Sequence, residues 1–369
     1  QLAGLAAQGA AGGAPAFGVE FSRHLGLSIG GKGVGLWVDD LLTRLETAFS
    51  GTGVAFRAVF RFGARGELGP VKVTMDGAGV WIGRWTSGNA GVLAPTGIGI
   101  SIEAGPISGG GFLKTYAPGD YGGALQLKIL GIGAFAYGLY KELPGGDASI
   151  AALIGIRLPL PGIQVGFGFA IMGFGGLIGI NRRADLDALR ERLVSGTAGD
   201  VLFTDDPMKN APKLLGELRT LFPDKKGTHV FGPTIKIQWL SLLRLDLGLF
   251  IELPGPSKVF IAGSGKLVLG SEDFALVHLR LDFVGGVDLA ASLIFFEGYL
   301  VDSTVLGIIR ITGGLALRIG YGGNPYFVYS VGGFHPEFNP GNLPMPAIPR
   351  AGAGVDLGVV WFKQEMYLA

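Results

Sequence analysis

The stretch Leu243–Leu253 reads LRLDLGLFIEL: every odd position is Leu or Ile, while Arg244, Asp246 and Glu252 take even ones. Successive side chains on a strand point to opposite faces, so this period of two specifies a strand with one wet and one dry face. The residues Val277, Leu279, Leu281 and Phe283 repeat the rhythm, with His278, Arg280 and Asp282 between them. Outward from these segments the same alternation, punctuated by glycine, fills most of the chain. It predicts a mainly β fold: an extensive antiparallel amphipathic meander, as a curled sheet or barrel-like, with one two-helix insertion.

After an Ala/Gly-rich lead (1–16), Phe17–Ile29 reads as a first strand, continued by Val34–Val38. Asp39–Phe49 (DDLLTRLETAF) reads as a short helix, because Leu41, Leu42, Leu45 and Phe49 recur at three- and four-residue steps. The meander then begins, with Ala124–Lys141 as one long strand. Turn chemistry stands at Pro118-Gly119-Asp120 and Pro144-Gly145-Gly146-Asp147.

The rhythm breaks over Asn181–Phe222, where Leu186, Leu189 and Leu193 line one helical face. A second helix is expected from Asp206-Pro207, a good cap followed by a good first helical residue, and carries Leu214, Leu215, Leu218 and Leu221. The chain thus divides into a first β half (17–180), a helical insertion (181–228), a second β half (229–333), and a Pro-rich connector with a terminal strand (334–369). Covering a sheet edge or end is the expected task of the insertion.

The 30 basic and 29 acidic residues leave a net charge of +1, which lacks the basic footprint of a nucleic-acid partner. Charged residues make up 16%, against about 25% in a typical soluble domain. With a mean hydropathy of +0.45, either much of the sheet is covered on both faces or apolar surface meets lipid, ligand or another subunit. The 67 glycines lack a collagen period and many fall inside strands, suggesting bends or close backbone approach. Cysteine is absent, which removes disulfides and thiolate metal sites. The uncharged run between Arg157 and Arg182 could span a membrane by length, but Pro159, Pro161 and its glycines favour strand and turn. A start at Gln1 without Met, and without the basic region of a signal peptide, reads as a fragment of a longer protein.

Chemistry-bearing motifs are sparse. Gly263-Ser264-Gly265-Lys266 is the nearest approach to a phosphate loop, and it lies inside a strand pattern. His24, His229, His278 and His335 are widely dispersed, so a metal site would have to be assembled by folding. The pairs Asp39-Asp40 and Asp205-Asp206 are expected to cap helices, and Glu272-Asp273 to form a turn. Phe60-Arg61-Phe62 and WIGRW (81–85) are read as core and rim residues, not as a stacking platform for single strands. Candidates for an apolar contact surface are Val165, Phe167, Phe169, Phe135 and Tyr137. The loop Gly332–Asn339 (GGFHPEFN) offers His335, Glu337 and Asn339, where His335 and Asn339 could equally satisfy backbone groups.

Five segments together carry a family resemblance: PTGIGISIEAGPISGGGFL (95–113), GFGFAIMGFGGLIGINRRADLDALRERL (166–193), VLFTDDPMKNAPKLLGELRTLFP (201–223), HVFGPTIKIQW (229–239) and FVYSVGGFHPEFNP (327–340). Over roughly residues 66–340 the chain resembles a large microbial domain of unknown function found in very long, β-rich, multi-segment proteins. The resemblance implies a shared fold and transfers no activity or catalytic residue. The lead and the last strand fall outside it.

Low charge, high hydropathy and missing catalytic motifs predict a non-enzymatic β scaffold. Its apolar sheet face would meet a hydrophobic, lipid-like cargo or partner subunits in a larger assembly. The alternative is a membrane-inserted β-barrel or pore with the helical insertion as plug, since strands of about ten residues are of spanning length. No cofactor and no nucleic acid are implied, and membrane contact is compatible with either reading.

Overall fold

The computed structural model describes residues 17–31, 34–50, 53–85, 88–93, 95–204, 208, 210–255, 257–270, 275–323, 325–339, 346, 348–356 and 361–368. Asp205-Asp206, Pro207, Glu272-Asp273 and the lead at 1–16 lie outside them. The chain forms two compact units, Gln1–Leu130 and Gly131–Ala369.

The first unit comprises β1 (Phe17–Gly31), β2 (Val34–Ser50), β3 (Gly53–Leu68), β4 (Val71–Trp85), β5 (Gly88–Leu93), β6 (Gly97–Ala104), β7 (Ile107–Ala117) and β8 (Asp120–Ile129). Strands β1–β2–β3–β4–β6–β7–β8 pair antiparallel in that order, and β5 is a short arm on β4. The helix expected at Asp39–Phe49 is instead part of β2, paired with both β1 and β3. Leu41, Thr43 and Leu45 alternate with Leu42, Arg44 and Glu46, so a period of two was also present. Over Leu41–Thr47 ladders on both sides pair the backbone groups that a lone helix would have to satisfy internally. A bulge between Val38 and Leu41 shifts the register and blurs the alternation. Asp39 and Asp40 therefore cap no helix. Asp39 takes two hydrogen bonds from Arg65, at 2.6 and 2.8 Å, and Asp40 pairs with His24 at 3.0 Å.

The second unit begins with β9 (Ile132–Glu142), β10 (Ala148–Arg157), β11 (Ile163–Gly166) and β12 (Phe169–Arg182). The helices α1 (Leu186–Val194), α2 (Ala198–Leu202) and α3 (Ala211–Leu221) follow. Strands resume with β13 (Asp224–Trp239), β14 (Leu243–Leu253), β15 (Lys258–Gly270), β16 (Ala275–Asp288), β17 (Leu293–Val305), β18 (Ile309–Thr312), β19 (Gly314–Gly320), β20 (Tyr326–Val331), β21 (Ala351–Asp356) and β22 (Trp361–Met366). The main sheet runs β9–β10–β12–β13–β14–β15–β16–β17–β19–β20. A branch of β18, β21 and β22 leaves β17. All pairs are antiparallel; the branch meets β20 again at an isolated bridge between Val331 and Leu368, and among the described residues neither unit's strands close into a barrel.

Because β12 and β13 pair directly across the helical insertion, the two expected β halves do not separate there. The boundary falls at 130/131, where the expected strand Ala124–Lys141 is broken into β8 and β9. The single expected terminal strand is likewise two, β21 and β22. The insertion holds three helices, of which α2 is a single short turn. Asp185 caps α1 by accepting from the Ala188 amide at 3.1 Å. The last helix starts at Ala211 with Pro212 in its first turn, and not at Asp206. The expected leucines are its packing face: Leu214, Leu215, Leu218 and Leu221 are all buried.

Aromatic rings fill the space left by cross-strand glycines. A Cβ on Gly155 would stand 2.4 Å from the Phe135 ring, one on Gly232 2.2 Å from Phe250, and one on Gly285 2.6 Å from Phe296. These glycines serve packing more than backbone freedom.

Candidate apolar binding surface

Cross-strand registers align the apolar positions of the second unit into rows. One row reads Ala152–Ile178–Phe231–Ile251–Val259–Val287–Ile294–Ile319–Phe327, from β10 through β20, without a polar residue. The next reads Leu249–Ile261–Gly285–Phe296–Leu317–Tyr329. This is the face formed by the odd positions of LRLDLGLFIEL, and it is open. Leu249, Ile261, Ile178, Phe231, Ile294, Phe327 and Tyr329 are all exposed. Within it lies a shallow, open depression of about 350 Å³ lined by Ile154, Ile156, Phe174, Ile178, Phe231 and Pro233, with no polar side chain in its wall.

The opposite face, expected to be wet, is the one the helices cover. Phe250 and Glu252, on even positions of β14, are buried, as are Asp282, Glu297 and Arg318. A buried charge is tolerated only when it is paired and hydrogen-bonded. Glu297 accepts from Arg190 Nε of α1 at 3.0 Å, Arg318 Nη2 at 2.7 Å and the Tyr299 hydroxyl at 3.1 Å. Burial pushes the Tyr299 phenol upward, and the charge and hydrogen bond of Glu297 add to it. Asp282 accepts from Arg280 Nε and Nη2 at 3.0 and 2.8 Å, and from Ser264 Oγ at 2.6 Å. Glu252 accepts from the Ala184 amide at 2.8 Å and Ser257 Oγ at 2.9 Å. The insertion thus converts the polar-patterned face into core and leaves the apolar one uncovered.

The residues singled out from sequence separate on these two faces. Phe169 lies on the open face, its ring 6.1 Å from that of Trp239. Val165 and Phe167 stand at the exposed β11–β12 turn. Phe135 and Tyr137 lie on the helix-covered face, because their odd positions in β9 pair with Gly155 and Leu153. Tyr137 is not a contact-surface residue: it is buried and its hydroxyl donates to the Val201 carbonyl of α2. His335, Glu337 and Asn339 share one exposed turn, where the Glu337 amide donates to His335 Nδ1 at 3.1 Å. The other histidines are apart: His229 Nδ1 accepts from the Asn181 amide at 3.3 Å, and His278 Nδ1 donates to the Asp302 carbonyl at 3.1 Å. Among the described residues, no group of three His, Asp or Glu is placed to hold a metal ion.

Ile154, Ile156, Phe174, Ile178 and Phe231 were not singled out from sequence. Their alternation was visible, but only the register between strands distant in sequence brings them to one depression. No helix among the described residues is long and apolar enough to cross a membrane, and the run 157–182 is β11 and β12 with their turns.

No curated protein and no solved structure matches the chain. A family match covers residues 40–369, extending beyond the expected 66–340 and taking in the last strand. On that match the chain belongs to DUF6603, a family of unknown function.

Proposed function

We propose that this chain is a non-enzymatic β scaffold whose open sheet face holds a lipid-like apolar cargo. The nine-strand apolar row from Ala152 to Phe327 carries the reading. Burial of apolar surface is favourable by about 25 cal/mol per Å². Contiguous exposed patches beyond a few hundred Å² mark interaction sites. The depression at Phe174 and Phe231 is about 350 Å³, within the range of roughly 300–1,000 Å³ usual for small-molecule sites. Its wall offers no acid, base or nucleophile, which favours holding over chemistry.

Partner subunits could cover the same face. The depression at Phe174 and Phe231 is shallow and open, so the extract experiment below decides between cargo and subunit. A membrane-inserted barrel with the helices as plug would also turn an apolar face outward. Against it, an unclosed sheet leaves backbone groups unpaired in hydrocarbon.

The test is mass spectrometry of organic extracts from protein purified without detergent, set against a matched control preparation. A stoichiometric apolar molecule supports the carrier and identifies the cargo class. A clean extract from folded, monodisperse protein overturns it in favour of a partner-covered face. Protein that stays in solution only with detergent points to the barrel.

A further inference from the structure

The two ends of the second unit's sheet differ in turn chemistry. At the end where the insertion leaves and returns, the turn at Pro144–Asp147 (PGGD) and the Gly322-Gly323 pair are small or polar, and 289–292 (LAAS) exposes one large apolar side chain, Leu289. At the other end the turns are LPLPG (158–162), Phe167-Gly168, LSL (240–242) and LGI (306–308). Phe167 is 98% exposed, Leu160 77% and Ile308 58%, with Leu240 and Leu306 also exposed.

Three of these tips occupy backbone that bulky side chains rarely adopt. Phe167, Leu240 and Leu306 have φ of 52°, 50° and 55°, in the left-handed region. Asn or Gly would suit such turns better, so apolar residues here work against local preference. The tips are held in place. The Leu240 amide donates to the Gly168 carbonyl at 2.8 Å, Trp239 Nε1 donates to the Phe167 carbonyl at 3.1 Å, and the Leu306 amide donates to the Leu276 carbonyl at 2.7 Å.

Cations stand just behind the tips. Arg244 and Lys266 face each other across β14 and β15, and Arg310 follows Ile308 by two residues. All three are exposed, and among the described residues none has an ion-pair partner. Like charges directly opposite one another destabilise a sheet, so the pair is poised for an anion. Arg244 lies two residues inside the 240–242 turn, about 7 Å along the strand. That is one headgroup layer behind the apolar tips. The segment 271–274 (SEDF), between β15 and β16, lies outside the described residues.

We propose that this end of the second unit docks onto a lipid bilayer bearing anionic headgroups. Phe167, Leu160, Leu240 and Leu306 enter the acyl boundary, Trp239 sits at its edge, and Arg244, Lys266 and Arg310 meet headgroup phosphates. Separate side chains projecting past the strand ends suit a fluid that closes round each one. The proposal does not depend on the open face carrying cargo.

The test is flotation of the full chain with phosphatidylcholine vesicles, with and without phosphatidylserine. The chain is expected to float with the phosphatidylserine vesicles. Phe167→Asn, which keeps a residue tolerant of left-handed backbone, should weaken partitioning about tenfold, as loss of one buried aromatic implies. The double variant Arg244→Glu, Lys266→Glu should lose the preference for phosphatidylserine. Unchanged unfolding midpoints in both variants separate these effects from misfolding. Three results overturn the proposal: no flotation of the wild type, wild-type flotation of both variants, or Phe167-dependent self-association without vesicle binding. Each leaves the extract experiment unaffected, so the two readings fail separately.

Discussion

Arg182 and Asp224 form an ion pair at 2.9 Å between the last residue of β12 and the first of β13. The chain leaves the sheet at one and returns at the other. Arg182 is only 2% exposed and also donates to the Phe222 carbonyl at 2.9 Å. Asp224 accepts in addition from Ser149 Oγ at 2.6 Å and Lys141 Nζ at 2.9 Å. Removing one partner of a buried pair leaves the other desolvated and uncompensated. Asp224→Ala is therefore expected to cost about 3 kcal/mol in urea unfolding at neutral pH. A loss below about 0.5 kcal/mol, the level of an ordinary surface change, would show that the pair does not secure the insertion.

The same carboxylate carries a pH dependence. Burial alone would raise Asp224, but hydrogen bonds from Ser149 and Lys141 and the charges of Arg182 and Lys141 outweigh it and hold the group below the usual carboxylate range. A depressed folded value means stability that is fully present above the unfolded value of about 3.9 and lost as pH falls through the folded one. Unfolding midpoints of wild type and Asp224→Asn, compared from neutral pH downward, should converge below about pH 4. Parallel curves throughout would refute the assignment.

Glu297 holds two arginines at the helix–sheet boundary. Glu297→Leu should destabilise by about 3–5 kcal/mol, because Arg190 and Arg318 lose their common partner. Amide exchange in α1 should accelerate more than exchange in β14. Uniform acceleration across both would mean that α1 and the sheet unfold as one.

On the open face, Ile178→Asp and Phe231→Asp should behave as surface changes, within about 0.5 kcal/mol of wild type. Both should nonetheless abolish binding of a fluorescent fatty-acid probe in detergent-free buffer. Retained binding with an unchanged fold would move the cargo elsewhere on the molecule.

Gly155→Ala sets a methyl against the Phe135 ring and should cost about 1–3 kcal/mol. Adding Phe135→Leu should recover much of that loss in a double-mutant cycle. Strict additivity of the two changes would show that the ring does not occupy the glycine's space.

The period of two in LRLDLGLFIEL and its neighbours made the mainly β architecture legible, and the leucine spacing at 186–193 and 214–221 located the helices. Two errors have physical causes. DDLLTRLETAF carried both periodicities, and pairing on either side decided between them. The break at Leu130-Gly131 was hidden because a leucine takes the left-handed turn position, at φ 50°, where turn chemistry expects Asn or Gly. Which face would be covered was not legible. Pattern alone assigns the apolar side to the core. Here the arginines at 190 and 280 and the carboxylates of Asp282 and Glu297 neutralise one another, and the polar side closes instead.

The rings lying over glycines across the sheet carry a consequence for descent. Neither member of such a pair can drift alone, since a side chain at Gly155 or Gly285 collides with Phe135 or Phe296, and loss of the ring leaves a hole over bare backbone. Among diverging relatives, glycine and ring should therefore be exchanged together. The strand register would then be inherited as linked pairs of positions and could be recovered from their joint variation.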